Sequence, residues 1–363
     1  MQIDIQSKIK DYTLYFADDF GFLSELSAYT PRVVVVDRNV YTLYAQELDR
    51  HFSPEEIILF DAVETNKNIQ SALALCDKVM AFAAKKNMTI ISFGGGITQD
   101  VTGFLASVLY RGVNWIFVPT TLLAQSDSCM GSKTSLNYAH FKNLLGSFYP
   151  PTKVYINVNF TQTLSETDFY SGLGEVVKLQ LMGGGCPIGE IAEEVRGVVL
   201  RRDDTPRLRE LVRSSLAIKY SYIKDDEFDT GRRNLLNFGH CFGHALETAS
   251  DYAIPHGIAV VIGIVFANLI AVKRSILDAE VANEIFDTLL LPCIKCSLHS
   301  AYFDKTAIFE AMKMDKKRVG TGLPVIVMQG LGQLSKLTDM TQEELYEGID
   351  LLVAQLPIKK HEN

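Results

Sequence analysis

The chain has 363 residues, 47% hydrophobic and 21% charged, with a formal net charge of −8. That length suits two domains, and the acidic balance argues against a surface that gathers nucleic acid. Met1–Gln6 shows neither a basic nor an apolar segment of the kind a signal peptide needs, and the six cysteines are scattered, so a reducing cytoplasm is expected rather than an exported disulfide framework.

In chain order, Val33–Val36, Ile57–Phe60, Thr89–Phe93, Trp115–Val118 and Lys153–Ile156 read as buried strands. Helical patterns such as Asn68–Lys86 and Gln99–Leu109 lie between them. Strand–helix alternation of this kind implies a mainly parallel sheet. After about Thr163 the strands nearly vanish. Amphipathic segments follow at Glu166–Met182, Asp204–Ile223, Leu236–Ser250, Gly257–Lys273, Ala279–Leu290 and Lys305–Met314, with one late β-like piece at Leu323–Met328. The expected architecture is an α/β N-terminal domain with a Rossmann-like sheet (residues 1–160) and an all-α C-terminal domain (residues 161–363). The apolar run from Gly257 to Val272 contains Asn268 and is shorter than the roughly 18 residues of a membrane span, so it reads as a buried helix. Cys293 and Cys296 form a lone C-x-x-C, which lacks the second pair that a structural zinc ribbon needs.

Two regions carry chemistry. Ser92–Phe104 joins a strand to a helix through Gly94-Gly95-Gly96, where the backbone can approach a ligand and a helix N-terminus can face a pyrophosphate. It is not the G-x-G-x-x-G fingerprint. Asp37 ends the first buried strand, where a carboxylate can accept from a ribose or simply cap a turn. Further on, Glu175-x-x-Lys178 puts a carboxylate and an amine on one helical face. Three of the seven histidines, His240, His244 and His256, fall in one short window. A Glu with two His is a common zinc set that leaves a position open for substrate.

These motifs occur in an order that resembles the dehydroquinate synthase family of sugar phosphate cyclases over nearly the whole chain. The resemblance is carried by Glu64-Thr65-Asn66-Lys67, Gly94-Gly95-Gly96 with Asp100, Tyr110-Arg111-Gly112-Val113 and Pro119-Thr120-Thr121-Leu122-Leu123-Ala124. It continues through Asp127-Ser128, Gly131-Ser132-Lys133-Thr134, Lys142-Asn143, Glu175-Val176-Val177-Lys178, Arg233–His240, His256-Gly257 and Asp315-Lys316-Lys317. It implies NAD and a divalent metal as cofactors, usually zinc with cobalt as an alternative, and a cytoplasmic homodimer. The implied reaction turns a seven-carbon sugar phosphate into a carbocycle by transient oxidation, phosphate elimination, reduction and aldol closure.

The resemblance also implies residue roles. Glu175, His240 and His256 hold the metal, His244 shuttles protons, and Asp229 stands where the family has a Glu active in acid–base work. Arg111 (from the neighbouring subunit), Lys133, Asn143 and Lys317 contact phosphate, while Asp127 and Lys178 contact hydroxyls. Lys219, Arg233 and Asn237 hold the carboxylate of 3-deoxy-D-arabino-heptulosonate 7-phosphate, a job suited to an Arg fork and a Lys charge. For NAD, Asp37 and Asn39 serve the ribose, with Glu64 and Lys67 on the next connection. Gly95, Gly96 and Ile97 cradle the pyrophosphate, and Asp100, Thr120, Thr121 and Lys142 surround the nicotinamide half. Four positions depart from the pattern: Gln99, Ser132, Asp229, and Ile258 in place of a Glu beside a metal ligand. The expected activity is that of a 3-dehydroquinate synthase. The alternatives are a cyclase of secondary metabolism acting on sedoheptulose 7-phosphate or an amino analogue, a metal-dependent alcohol dehydrogenase, and a non-catalytic binding protein. No nucleic-acid or membrane partner is expected.

Overall fold

The computed structural model describes residues 1–82, 86–139, 141–314 and 322–359. It divides into one unit of Met1–Thr163 with Ile223–Phe228 and a second of Leu164–Tyr222 with Asp229–Asn363. The short return of Ile223–Phe228 to the first unit is a feature that a single boundary near residue 160 does not contain.

The first unit is built on strands β1 (Gln2–Ile5), β2 (Tyr12–Phe16), β3 (Arg32–Asp37), β4 (Ile57–Phe60), β5 (Thr89–Gly94) and β6 (Asn114–Pro119). A hairpin of β7 (Lys133–Tyr138) and β8 (Phe141–Phe148) and then β9 (Lys153–Ile156) follow. Its helices are α1 (Phe22–Leu26), α2 (Arg38–Leu48), α3 (Ile69–Ala81) and α4 (Gly96–Val108). The seven-stranded sheet runs β1-β2-β9-β6-β5-β3-β4, and every pairing is parallel except β1 with β2. Val33–Val36 are at most 2% exposed, so β3 is covered on both faces, as a central parallel strand must be. Edge strand β4 instead alternates half-buried and buried residues. Leu23, Leu26, Val34, Ile91, Phe93, Ile116 and Phe160 fill the core on one face. From β3 the chain passes to β4 on one side and then to β5 on the other. The ends of β3 and β5 therefore flank a topological switch point, where parallel α/β sheets bind ligands.

The second unit is helical: α5 (Glu166–Gly183), α6 (Ile188–Leu200), α7 (Thr205–Ile223), α8 (His240–Ala249), α9 (His256–Lys273), α10 (Ala279–Ile285), α11 (Lys305–Lys313) and α12 (Gln342–Gln355). It also carries two short ribbons, β10 (Leu298–His299) with β13 (Ile358–Lys359) and β11 (Leu323–Gly330) with β12 (Gln333–Met340). The late β-like piece is thus one arm of an antiparallel ribbon. Helix α9 is apolar on nearly every face, and its residues from Gly257 to Asn268 are all buried, which marks a core helix. By length and composition it would also pass as a membrane span.

Several helix boundaries differ from those expected: α3 ends at Ala81 where Lys86 was expected, and α4 starts at Gly96 where Gln99 was expected. The segment from Leu236 becomes α-helical only at His240, because Gly239 takes φ +76° after a 3-10 turn over Arg232–Asn237. The segment from Ala279 changes at Phe286 into a π-turn that runs to Leu290.

Candidate active site

In the second unit, close backbone packing brings four predicted residues together. A Cβ at Gly257 would lie 1.7 Å from the Ser171 carbonyl oxygen, and one at Gly174 would lie 2.3 Å from the Gly257 oxygen. Only glycine lets α5 and α9 approach this closely, and the approach sets Glu175 beside His256. On the other side, a Cβ at Gly263 would lie 1.9 Å from the Gly239 oxygen, so α8 enters against α9 just before His240. The Ser171 hydroxyl accepts from the Gly257 N–H at 3.0 Å, satisfying a donor at the start of α9. Gly257→Ala is expected to lower folding stability by about 3 kcal/mol or more, since backbone rather than a side chain would have to move. A melting curve that matches the parent would contradict this.

The Glu175 carboxylate is 1% exposed, and its Oε1 lies 3.3 Å from both His240 Nε2 and His256 Nε2. Its Oε2 lies 2.5 Å from Lys178 Nζ, one helical turn away. The His244 ring joins the group, and ring nitrogens of His240, His244 and His256 fall within 4.8 Å of one another. His240 Nδ1 donates to the Phe238 carbonyl at 3.1 Å, and His256 Nδ1 donates to Glu247 Oε2 at 3.2 Å. Those bonds favour tautomers whose Nε2 lone pairs point at the carboxylate. Three acceptors facing one another repel unless a cation sits among them. Neither Glu175 oxygen has a well-aligned hydrogen bond among the described residues. The residues therefore fit a divalent metal by donor type and tautomer.

The site's demand for positive charge also shows in its titration. Burial would depress the His256 imidazolium, but the Glu175 and Glu247 carboxylates override it and raise the pKa to about 10. Burial pushes His240 down, with Glu175 opposing. Burial would raise Glu175, yet the charges of Lys178 and His240 hold it well below the usual carboxylate range.

Lys219 on α7 and Arg233 on the turn before α8 are 7% and 4% exposed. The Asn237 side chain donates to the Asn234 carbonyl at 2.8 Å. Asp229 has φ +61°, a conformation that Asp adopts more readily than Glu, and this gives a backbone reason for the shorter carboxylate. Ile258 is fully buried, and the carboxylate that orients His256 comes from Glu247, so the departure at Ile258 leaves that support in place. Lys317 lies outside the described residues.

In the first unit, Asp37 caps α2 by accepting from the Asn39 N–H at 3.0 Å. Burial pushes its carboxyl up despite that bond. Gly95 stands at the N-cap of α4 with no side-chain cap, and a Cβ there would lie 2.9 Å from Thr121 Cγ2. This α4 terminus follows β5 directly and lies at the switch point with Ile97 in its first turn, so backbone N–H groups and glycine surface are available to a pyrophosphate. Thr120 follows β6, and its N–H donates to the Gly94 carbonyl at 2.9 Å.

Lys67 Nζ lies 2.5 Å from Asp100 Oδ2 and donates to Asn143 Oδ1 at 2.7 Å. Ser135 bonds both Asp100 and Asn143, and Asn137 donates to Glu64 Oε1 at 2.8 Å, with Lys142 Nζ 3.8 Å from the same atom. The structure thus joins Glu64, Lys67, Asp100, Lys142 and Asn143 in one network, through Ser135 and Asn137. The departure at Gln99 is explained by reciprocal bonds with Ser128, at 2.7 Å to its carbonyl and 2.6 Å from its hydroxyl. Ser132, at φ +59°, donates to Glu227 at 3.0 Å. Glu227 also accepts from the Ser7 hydroxyl and the Lys8 N–H. Asp127 lies on the turn over Ala124–Ser128, Lys133 is exposed at the start of β7, and Arg111 is exposed at φ +64° after α4.

Five contributors were not anticipated: Glu247, Ser171, Ser135, Asn137 and Glu227. Only Glu247 left a readable trace, since it falls seven residues after His240 and three after His244, on their helical face.

A glycine turn at the switch point of a parallel sheet, and a helical unit in which a buried Glu175 faces the half-buried His240 and His256, are the two features that the class of this fold has to account for. Residues 57–171 match the 3-dehydroquinate synthase N-terminal family and residues 172–318 the 3-dehydroquinate synthase C-terminal family. The chain belongs to the 3-dehydroquinate synthase family. It is 31% identical over 355 residues to a 3-dehydroquinate synthase of Thermoanaerobacter pseudethanolicus, covering 94% of this chain and 98% of that protein. Among solved structures it shares its fold with 2-epi-5-epi-valiolone synthase of Streptomyces hygroscopicus, which has NAD+ and Zn2+ bound. The TM-score is 0.85 at 22% identity over 97% of this chain and 99% of that one. A 2-deoxy-scyllo-inosose synthase complexed with carbaglucose-6-phosphate, NAD+ and Co2+ follows, with a TM-score of 0.82 at 22% identity over 96% and 99%. The chain is an enzyme of this cyclase type.

Proposed function

We propose that this chain is a 3-dehydroquinate synthase, converting 3-deoxy-D-arabino-heptulosonate 7-phosphate to 3-dehydroquinate and phosphate. The observation that carries the reading is the Glu175 carboxylate faced at 3.3 Å by two imidazole nitrogens whose other nitrogens are already engaged. Glu175, His240 and His256 would hold the divalent metal, which supplies Lewis acidity toward a hydroxyl or carbonyl oxygen. Gly95, Gly96 and Ile97, with Asp37 at the neighbouring strand end, would hold NAD, which supplies a hydride acceptor that is restored within each turnover.

The rest of the chemistry falls to side chains. His244, in ring contact with His240 and His256, moves a proton to and from the reacting hydroxyl. Asp229 serves as a second acid–base group. Lys178, one turn from Glu175, orients a substrate hydroxyl, as does Asp127. Lys133, Arg111 and Lys317 bind the phosphate and stabilise the charge it carries away as it leaves. Asn143, which would contact the phosphate, and Lys142, which would contact the nicotinamide half, belong to the Lys67–Asp100 network of the first unit. The choice of an acid substrate is supported by the residue types at Lys219, Arg233 and Asn237, because an Arg fork and a Lys charge suit a carboxylate.

The test is phosphate release by the purified protein with zinc and catalytic NAD. 3-Deoxy-D-arabino-heptulosonate 7-phosphate and sedoheptulose 7-phosphate would be offered separately, with products identified by NMR. The expected result is dehydroquinate from the first, without net NADH. Turnover of the second alone would keep a cyclase and overturn the acid substrate. Stoichiometric NADH without phosphate release would indicate an alcohol dehydrogenase.

A further inference from the structure

The segment Ile223–Phe228 belongs to the first unit, although the chain on either side of it belongs to the second. Its last residues, Glu227 and Phe228, hold Lys133 from two sides. Glu227 is 9% exposed, and its Oε1 accepts from the Ser132 hydroxyl at 3.0 Å and from the Ser7 hydroxyl at 2.6 Å. Its Oε2 accepts from the Lys8 N–H at 2.7 Å. Ser132 directly precedes Lys133 in the chain. Phe148 pairs with Lys133 across the β7–β8 ribbon, and the Phe228 ring meets the Phe148 ring edge-on, with centroids 5.2 Å apart. The Lys8 ammonium lies over the Phe228 ring, 5.8 Å from its centroid. The turn fixed in this way is strained. Gly131 has φ +117° and Ser132 φ +59°, and serine is not among the residues that favour the left-handed region. Such a conformation persists where its surroundings over-determine it. Here the Gly131 N–H donates to the Tyr12 hydroxyl at 3.0 Å, the Tyr149 N–H donates to the Ser132 carbonyl at 2.6 Å, and Glu227 takes the Ser132 side chain.

We propose that Glu227 is a positioning residue for Lys133: through Ser132 it sets the direction in which the lysine side chain leaves the turn, and with it the grip on a phosphate group. The inference rests on the phosphate role proposed for Lys133. A hydroxyl otherwise rotates to suit its surroundings. An ionised carboxylate is the stronger kind of acceptor and gives the Ser132 hydroxyl one direction. With the side chain, the carbonyl and the preceding N–H of the turn all engaged, Lys133 begins β7 from a fixed backbone. That matters because a lysine ammonium is a point charge on a flexible stem. Ordering such a stem against a ligand costs binding free energy, and less of it when the backbone is already held. Phe228 gives the same support from the opposite strand. It is 41% exposed, so it braces the ribbon at Phe148 rather than filling a core.

The experiment is a phosphorus NMR titration of the full chain with inorganic phosphate, in the presence of zinc and NAD, on a double-mutant cycle of Glu227→Gln and Lys133→Met. Glu227→Gln keeps the shape of the side chain but sets an amide among donors that now meet a carboxylate. Lys133→Met should weaken phosphate binding by about tenfold or more. Glu227→Gln should weaken it roughly fivefold in the parent, and less than about twofold in Lys133→Met, where no ammonium remains to be misplaced. The melting temperature should fall by the same amount in both backgrounds, because the lost brace is common to them. Ser132→Gly removes one bond from the carboxylate and accepts φ +59° without strain. It should show the same coupling to Lys133 with a smaller factor, and it carries the test if Glu227→Gln does not fold. A parent that binds no phosphate, or a Lys133→Met variant that binds it fully, would overturn the phosphate role of Lys133 and this inference with it. If Lys133→Met does weaken binding, an equal loss from Glu227→Gln in both backgrounds, or no loss in the parent, would leave that role standing and reduce Glu227 to a brace of the fold.

Discussion

Glu175→Gln is expected to remove the metal from the second unit and to lower phosphate release at least about a thousandfold. The substitution keeps the shape of the side chain and deletes only its charge. It leaves His240 Nε2 and His256 Nε2 facing a neutral amide in place of a carboxylate, and it deprives Lys178 of an anionic partner at 2.5 Å. Breaking a buried ion pair from one side costs about 3–5 kcal/mol, so the melting temperature should fall as well. That fall alone would not separate a metal site from an ionic brace. The separating measurement is the response to zinc. A resident metal stabilises the parent protein by mass action, so the parent should melt higher with zinc and lower after chelation, while the variant ignores both. Metal analysis should read about one ion per parent chain and less than a tenth of that in the variant. A parent that purifies without metal and melts at the same temperature with zinc would reduce the cluster to a charged brace. A variant that keeps both metal and turnover would remove Glu175 from the ligand set.

The sequence revealed the chemistry better than the means of assembling it. The β-branched runs at Val33–Val36 and Thr89–Phe93 were legible because strands buried on both faces are continuously apolar. Glu175, Lys178, His240 and His244 were legible because helical spacing places them on shared faces. The approach of α5, α8 and α9 was not, since Gly174, Gly257 and Gly263 act through absent side chains at distances that only the folded backbone reveals. The network about Asp100 was half legible. Its charged members stood out, but Ser135 and Asn137 lie on a hairpin whose strands carry no apolar run. β1 and β2 lack such a run too. Helix α12 is a different case. Its capping box, Thr341 with Glu344, is written in the sequence, and its apolar stripe of Leu345, Ile349 and Leu352 follows at helical spacing.

Arg233→Ala is expected to cut kcat/KM for 3-deoxy-D-arabino-heptulosonate 7-phosphate by about a hundredfold or more. It should weaken sedoheptulose 7-phosphate, measured as a competing ligand, by less than about fivefold. A hydrogen bond between charged partners contributes about 1.5–3 kcal/mol, and Arg233 is 4% exposed, where water compensates poorly for its loss. Lys219, at 7% exposure, should behave in the same direction with a smaller effect, because its ammonium is a point charge and lacks the two-pronged geometry that matches a carboxylate. Asn237 should matter least of the three, since its amide carries no charge to set against a carboxylate. The comparison separates recognition from support. Arg233 lies on the turn that leads into His240, so its removal also disturbs the approach to the metal ligands, and that disturbance would fall on both ligands alike. Only the difference between them measures the carboxylate. Arg233→Lys restores a charge without the fork and should recover part of the loss for the acid alone. Equal losses on both ligands, or equal recovery of both in the lysine variant, would leave Arg233 as a support for the turn and reopen the choice of substrate.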